Sequence, residues 1–397
     1  MPVLNSAAAM KDEIATLRRE MHQHPQTSYE ETFASDLVAA QLTKWGIKFE
    51  RGIAVTGIVA TIEGQKTDSG KAVGLRADMD ALDIPEKSGA EWSSKFPGKM
   101  HACGHDGHTS MLLGAAKYLS ENRNFNGKVH LIFQPAEEGG GGAYKMIEEG
   151  LFKKFPMDAV YGLHNWPSMK MGQIGTRKGP LMASSDSLTI TITGRGGHAA
   201  APHRTIDPIV VGAHIVTALQ SVVSRNADPV DQAVVTIANF NAGGGAFNVI
   251  PDTAVLDGTI RAFNRDTRKM LHERVTSIVE NTALALGATA EITIFDGYDP
   301  TINSDAETEI AARAAASVVG EANVNTDIPP VMGAEDFGAY TAEKRGAFIF
   351  LGQGVDAKDS PHNHGLHSPF YDFNDDIIPV GVSYFAALVE QIMPLSD

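Results

Sequence analysis

The sequence has a single cysteine, Cys103, so a disulfide bond within one chain is excluded and the protein does not depend on an oxidising compartment. It also lacks any run of about 18 apolar residues, the length that a membrane-spanning helix requires. Residues 1–10 show no charged start followed by a long apolar run, so we expect no signal peptide. These absences predict a cytoplasmic protein without a membrane partner.

Basic residues are scarce relative to acidic ones, with 33 Lys and Arg against 48 Asp and Glu, and the formal net charge is -15. No basic tract longer than a few residues occurs. Because a nucleic acid requires a face of Lys and Arg to neutralise its phosphates, we expect no nucleic-acid partner. A few local cations inside a pocket can still bind an acidic small molecule.

Short apolar segments separated by helical patterns dominate most of the chain. The 397 residues are enough for two domains. We predict buried strands and helices in alternation, which favours an α/β fold with a mixed sheet flanked by helices. The predicted strands are residues 57–62, 72–77, 129–134, 159–164 and 347–352, and the predicted helices include 10–45 and 109–119.

The order of the predicted strands and helices changes near Ser187. From there the predicted order is strand, helix, strand, strand, helix, strand, which is the ferredoxin-like, split β-α-β order. The six segments are residues 187–194, 206–225, 233–239, 253–263, 266–286 and 289–295. We therefore expect residues 187–296 to form an α+β domain inserted into a first domain made of residues 1–186 and 297–397.

The densest polar cluster is His-Ala-Cys-Gly-His-Asp-Gly-His at residues 101–108. Histidine, cysteine and aspartate side chains are typical metal ligands. In an extended or turning segment Cys103 and His105 project to the same side, so both can bind one ion. A helix predicted to begin near Thr109 would place its positive end beside a thiolate. The plainer interpretation is a core cysteine among scattered surface histidines.

Further candidates each follow a predicted strand. Glu137 and Glu138 are adjacent, so their side chains diverge, and one can bind a metal while the other faces a substrate. His164 ends another strand, and Asp78 ends a third, where it could orient a histidine ligand. His367 lies far down the chain. The plainer interpretation of these residues, each taken alone, is a solvated pair for Glu137 and Glu138 and a structural role for His164 and His367.

Together these segments, with residues 18–25 and 371–375, resemble the metallo-aminoacylase and carboxypeptidase amidohydrolases. Within that family they resemble the hippurate hydrolases and the indoleacetyl-amino-acid hydrolases, over nearly the whole chain. The resemblance implies a zinc-peptidase-like catalytic domain with an inserted dimerisation or lid domain. It also implies hydrolysis of the amide bond of N-acetyl, N-benzoyl or indoleacetyl amino acids, which releases a carboxylic acid and an amino acid.

The resemblance also implies residue roles. Glu137 matches the general base and Asp78 a catalytic-site aspartate. Arg76 stands where the wider family has a histidine ligand, so the ligand set differs here. The implied cofactor is a pair of manganese, zinc, nickel or cobalt ions, since a thiolate disfavours magnesium. The residues that match metal ligands are Cys103 as the bridge between two ions, His105, Glu138, His164 and His367.

In the inserted segment, His198 matches a residue that completes an oxyanion site. Asn248 and Arg261 match residues that hold a free substrate carboxylate, a group that the arginine fork suits. The resemblance implies a homodimer in which His198 reaches the metals of the partner. The plainer interpretation is that Arg261 is a solvated strand residue and His198 a loop residue.

Other functions remain open from the residues alone. The same metals would serve a dipeptidase, a carboxypeptidase or a hydrolase that releases an aryl amine. A metal-binding protein without turnover has no need of Glu137 beside Glu138. A hydrolase with Cys103 as nucleophile leaves both glutamates and the later histidines without a function, and chelators would not inhibit it.

Overall fold

The computed structural model describes residues 4–395, so the expectation about the N-terminus falls partly on residues 1–3, outside this range. The strands are Lys48–Ile53 (β1), Gly57–Glu63 (β2), Ala72–Asp78 (β3), Lys128–Gln134 (β4), Ala159–Lys170 (β5), Ile174–Gly175 (β6), Gly179–Met182 (β7), Ser185–Thr193 (β8), Gly197–His198 (β9), Ala233–Ala242 (β10), Val249–Ile250 (β11), Thr253–Ala262 (β12), Thr289–Tyr298 (β13), Thr301–Asn303 (β14), Val324–Asn325 (β15) and Arg345–Gly354 (β16). The α-helices are Asn5–Ala9 (α1), Lys11–His22 (α2), Thr32–Lys44 (α3), His105–Glu121 (α4), Gly142–Glu148 (α5), Leu151–Lys154 (α6), Pro208–Asn226 (α7), Arg265–Ala285 (α8), Asp305–Val319 (α9), Phe337–Glu343 (α10) and Ile378–Ile392 (α11).

These elements form two compact units. Of the described residues, the first contains 4–181, 302–329 and 336–395. The second contains residues 182–301 and 330–335. The predicted insertion at 187–296 lies within the second unit, whose range in the structure is wider.

The first unit is built on a mixed eight-stranded sheet in the order β1-β2-β4-β3-β5-β16-β6-β15. Strands β4, β3, β5 and β16 are parallel neighbours, while β1 and β2 are antiparallel additions at one edge. Every residue of β3 is buried, as expected for a central strand covered on both faces. Helix α4 packs on β3, and α11 packs on α4 and α9. The predicted α/β class with a mixed sheet is confirmed.

The predicted single helix over residues 10–45 is wrong, because the structure has α2 and α3 with a turn between them. Pro25 explains the break. Proline has no backbone N–H to donate and disfavours the helical conformation of the residue before it, here His24. The intervening turn contains Tyr29 with a positive φ of 67°, which no helix interior contains.

The second unit has a four-stranded antiparallel sheet in the order β10-β12-β8-β13. With α7 after β8 and α8 after β12, this is the predicted ferredoxin-like arrangement. Strand β8 alternates buried and less buried residues, and Leu188, Ile190 and Ile192 enter the core. Helices α7 and α8 cover that apolar face of the sheet with their own apolar sides, whose buried residues include Ile215 and Val275.

Helix α7 is long and apolar enough to cross a membrane by length and composition, which we did not anticipate from the sequence. Core helices of globular proteins meet the same criterion, so the feature gives weak support for a membrane span. In this unit Val211, Ile215, Leu219 and Val222 are buried in the core. The expected absence of a membrane partner stays a prediction.

Candidate metal centre

The predicted site residues of the first unit gather where parallel strands of its sheet end. Asp78 is the last residue of β3, Glu137 and Glu138 follow β4, and His164 lies on β5. These three strands are parallel neighbours, so their carboxyl ends meet at one edge of the sheet. Side chains from segments far apart in sequence therefore converge there, as in other open α/β sheets.

His105 is the first residue of α4, which begins four residues before the predicted start at Thr109. Gly104 precedes it with a φ of 95°, a conformation that glycine adopts without steric cost. The Nδ1 atom of His105 lies 2.9 Å from the Asp80 backbone oxygen and 3.2 Å from its Oδ1. These contacts fix the ring so that Nε2 points toward the carboxylates.

The Nε2 atom of His105 lies 3.7 Å from Asp78 Oδ2, 4.0 Å from Glu137 Oε2 and 3.9 Å from Glu138 Oε1. Within residues 4–395, the buried His105 Nε2 atom has no hydrogen-bond partner, while the buried Glu138 Oε1 atom makes no well-aligned hydrogen bond but lies at ion-pair distance from His367 Nε2. A buried polar atom without a partner is costly, so a cation shared by His105 Nε2 and the nearby carboxylates fits these residues.

The other predicted ligands lie around His105 Nε2 and Glu138 Oε1. Cys103 Sγ is 3.4 Å from His164 Nε2, and His367 Nε2 is 3.1 Å from Glu138 Oε1. The backbone N–H of His367 donates to the oxygen of Ala102 at 2.8 Å, which ties this distant residue to the cysteine loop. The donor atoms of Cys103, His105 and His164 lie within 4.8 Å of one another, as do those of Cys103, Glu138 and His367. These nitrogen, oxygen and sulfur donors fit a divalent transition metal.

The electrostatics of the centre also suit cations. Burial, followed by the charges of Glu138 and Glu137, raises the pKa of the Cys103 thiol well above its ordinary value. Burial and the neighbouring His108 lower the pKa of His164, which favours the neutral imidazole that binds metals. Burial alone would lower the pKa of His105, but the charge of Asp78, the contact with Asp80 and the charges of Asp80 and Glu138 together outweigh burial and raise this pKa to about 10. A cation that replaces the proton on His105 would neutralise the same carboxylates and favour the thiolate of Cys103.

Asp78 is held on both of its oxygens by other side chains. Arg76 donates from Nη1 to Asp78 Oδ2 at 2.7 Å, and His108 Nδ1 lies 2.6 Å from Oδ1. Arg76 also donates to Gln134 Oε1 at 2.7 Å and to Asp336 Oδ1 at 2.9 Å. The guanidinium is fully buried, so it acts as a fixed cation behind the centre in place of a ligand histidine.

Glu137 is buried beside the cluster, with 6% of its surface exposed. The backbone N–H of Asp336 approaches its Oε1 at 3.4 Å. Both adjacent carboxylates face His105 Nε2, and Glu138 Oε1 lies in addition 3.1 Å from His367 Nε2.

In the second unit, His198 and Asn248 lie side by side. His198 on β9 pairs with Val249 on β11, and the backbone N–H of Ala199 donates to the backbone oxygen of Asn248 at 2.9 Å. Both residues are exposed. Arg261 lies half-buried on β12, where its Nε donates to Thr259 Oγ1 at 3.2 Å. No hydrogen bond among residues 4–395 joins Arg261 to His198 or Asn248.

Sequence reasoning missed some residues that organise the centre. Asp80 holds His105 through its side chain and backbone, and its Oδ2 accepts the N–H of Glu138 at 2.8 Å. The alternation Asp78-Met79-Asp80 at a strand end was a usable signal. The role of Asn165 had no such signal, because its contacts with His108 and Tyr371 depend on long-range folding.

The chain was compared with known protein families and solved structures. Residues 74–391 match the family model described as peptidase family M20/M25/M40. The chain belongs to this family. The resemblance drawn from the sequence is thereby confirmed, and with it the interpretation as a metal-dependent hydrolase.

Several relatives of this M20 family protein are similar over almost the whole chain. It is 41% identical to a hippurate hydrolase of Campylobacter jejuni, covering 96% of both chains. It is 40% identical to an IAA-amino acid hydrolase of Arabidopsis thaliana, over 96% of this chain and 86% of the relative. Among solved structures, a dinuclear metal-binding peptidase of the M20 family from Bacillus subtilis is 32% identical, with a TM-score of 0.83 and coverage of 97% and 99%.

Proposed function

We propose that this protein hydrolyses the amide bond of N-acyl amino acids with two divalent metal ions. The observation that carries the proposal is the convergence of one unpartnered buried atom, His105 Nε2, with the donor atoms of Cys103, Glu138, His164 and His367. The similarity to a hippurate hydrolase and to an IAA-amino acid hydrolase supports N-acyl amino acids as the substrate class.

The five donor residues would hold the ions, and Cys103 is the residue that the two donor groups share. Bound divalent ions lower the pKa of a water molecule and polarise a scissile carbonyl oxygen. The sulfur of Cys103 favours manganese, zinc, nickel or cobalt over magnesium. Asp80 would act from behind the ligands, because it orients the His105 ring through Nδ1. Asp78 lies on the other side of that ring, where it faces Nε2.

Glu137 is the proposed general base. It accepts the proton of the attacking water and later donates that proton to the departing amine of the amino acid. Its support is its place beside the donor cluster and the approach of the Asp336 N–H to Oε1, which limits the rotation of the carboxylate.

The second unit would supply substrate recognition. Asn248 and Arg261 are proposed to bind the free carboxylate of the amino acid, and His198 to stabilise the oxyanion. The exposure of the neighbouring residues His198 and Asn248 supports this, since both side chains are available to a ligand. We also propose a homodimer and a cytoplasmic location.

The test is a hydrolysis screen with metal-stripped protein to which each ion is added back. N-acetyl, N-benzoyl and indoleacetyl amino acids are compared with dipeptides and with anilides that release an aryl amine. We expect hydrolysis of at least one acyl class that requires added metal and yields the free amino acid. Preference for unblocked dipeptides, or hydrolysis of anilides alone, would contradict the proposed substrate class.

A further inference from the structure

The backbone just before the two glutamates has an unusual conformation. Ala136 has a φ of 55°, in the left-handed region that residues with a Cβ rarely adopt. It connects Pro135 at the end of β4 to Glu137 and Glu138. A residue persists in this conformation only when its surroundings enforce it.

Glu31 holds Ala136 in this conformation. Its Oε1 accepts the backbone N–H of Ala136 at 2.9 Å and also the backbone N–H of Tyr29 at 2.9 Å. Tyr29 is itself left-handed, with a φ of 67°. One carboxylate oxygen therefore holds two strained peptide units that are far apart in sequence. Its other oxygen accepts from Thr56 Oγ1 at 2.6 Å, and no part of Glu31 is exposed.

The residues next to Glu31 hold the same loop at further points. Ser28 Oγ donates to the backbone oxygen of Glu138 at 3.2 Å. Tyr29 Oη donates to the backbone oxygen of Gly140 at 2.7 Å. Residues 28–31 thus contact residues 136–140 from one side, while the carboxylate of Asp80 accepts the N–H of Glu138 from another.

We propose that Glu31 is a positioning residue for the Glu137–Glu138 pair. The peptide orientation at Ala136 determines the directions in which the next two side chains leave the backbone. If Ala136 relaxed to a negative φ, both carboxylates would move away from the donor cluster. This inference rests on the proposed function, because it assumes that Glu137 is the base and Glu138 a ligand.

The test compares Glu31→Ala, Glu31→Gln and Val38→Ala. Val38 is buried on α3, the helix that begins directly after Glu31, and its truncation should lower stability through lost core packing. We expect Glu31→Ala to lower kcat at saturating metal by roughly 10- to 100-fold with KM little changed, and to retain less metal after dialysis. Glu31→Gln keeps an acceptor for both N–H groups and should recover most of the rate. Val38→Ala should lower the thermal unfolding midpoint while kcat stays near that of the unmodified protein.

Two further variants keep the test decisive. If Glu31→Ala yields too little folded protein, Glu31→Asp serves, because its shorter side chain draws the carboxylate back from Ala136. Ala136→Gly removes the strain, since glycine adopts a positive φ freely. In the Ala136→Gly background, replacement of Glu31 should therefore cost less rate than in the unmodified chain.

Equal kcat in Glu31→Ala and Val38→Ala at matched stability would overturn the positioning role. So would an undiminished effect of Glu31→Ala in the Ala136→Gly background. Failure of the proposed function gives a different result: Glu137→Gln itself would keep its rate, whatever Glu31 does.

Discussion

The Nε2 atom of His105 lies 3.9 Å from the Oε1 atom of Glu138, and within residues 4–395 this ring nitrogen has no hydrogen-bond partner. His105 is fully buried, and its other ring nitrogen, Nδ1, faces Asp80. An ion between His105 Nε2 and Glu138 Oε1 would contact both atoms at once. The predictions below test that arrangement and the roles proposed around it.

The adjacent glutamates should respond differently to loss of charge. Glu137→Gln should keep its metals and fold while kcat falls by at least about 10²-fold, because a general base is lost. Glu138→Gln should lose metal, since an amide is a weaker ligand than a carboxylate. Metal content by elemental analysis and steady-state rates separate the two. Near-normal kcat in Glu137→Gln would refute its assignment as the base.

Substrates should require the free carboxylate next to the scissile amide. Arg261→Ala should weaken transition-state binding of the acid substrate by about 2–5 kcal/mol, because a charge-assisted pair is lost. The methyl ester of the same substrate should be poor with the unmodified protein and little affected by the substitution. Values of kcat/KM for acid and ester give the comparison. Equal losses for both substrates would show that Arg261 does not bind the carboxylate.

The buried His22 should make stability fall at alkaline pH. Burial alone would lower the pKa of His22, but the charge of Asp106 and the contacts with Asp106 and Glu86 raise it to about 9 from the ordinary value of 6.5. Because the folded-state pKa is raised, this contribution is fully present below pH 6.5 and is lost as pH rises through about 9.

Urea unfolding of the unmodified protein and of His22→Gln at pH 6 and above pH 9 isolates this contribution, since other titrating groups are common to both. We expect the difference in the free energy of unfolding to be larger at pH 6. A difference that does not change with pH would mean that His22 has the same protonation in the folded and unfolded states.

His198 is predicted to act on the metal centre of a partner subunit. Protein with His198→Ala and protein with Glu137→Gln, each nearly inactive, are mixed under conditions that allow subunit exchange. If His198 acts in trans, one site in each mixed dimer regains both groups and activity reappears. If mixing restores nothing, or if light scattering finds a monomer at assay concentration, the trans role is wrong.

Strand positions were predictable because buried parallel strands are continuous apolar runs. The run at 72–77 corresponds to β3 at Ala72–Asp78. Helix α4 was predicted to start too late, since its first turn is His-Asp-Gly-His and the apolar stripe begins only afterwards. Burial of that turn, including Gly107, overrides its weak helix propensity.

The candidate site also contains residues that the sequence could predict and contacts that it could not. Cys103 and His105 could be proposed from residue type and spacing, because metal ligands come from a small set of side chains, whereas the choice of Glu138 over Glu137 as a ligand came from the family resemblance. The contact of Glu31 with Ala136 could not be proposed, since 105 residues separate them and no local pattern marks either one. Long-range contacts that orient a loop depend on the folded sheet.

Metal stoichiometry tests the central claim most directly. Stripped protein is titrated with manganese or zinc while bound metal per chain and the hydrolysis of an N-acyl amino acid are measured together. We expect no activity without metal and full activity when two ions are bound per chain, with Cys103→Ala losing both metal and rate. Full activity in protein that elemental analysis finds free of metal would contradict the account.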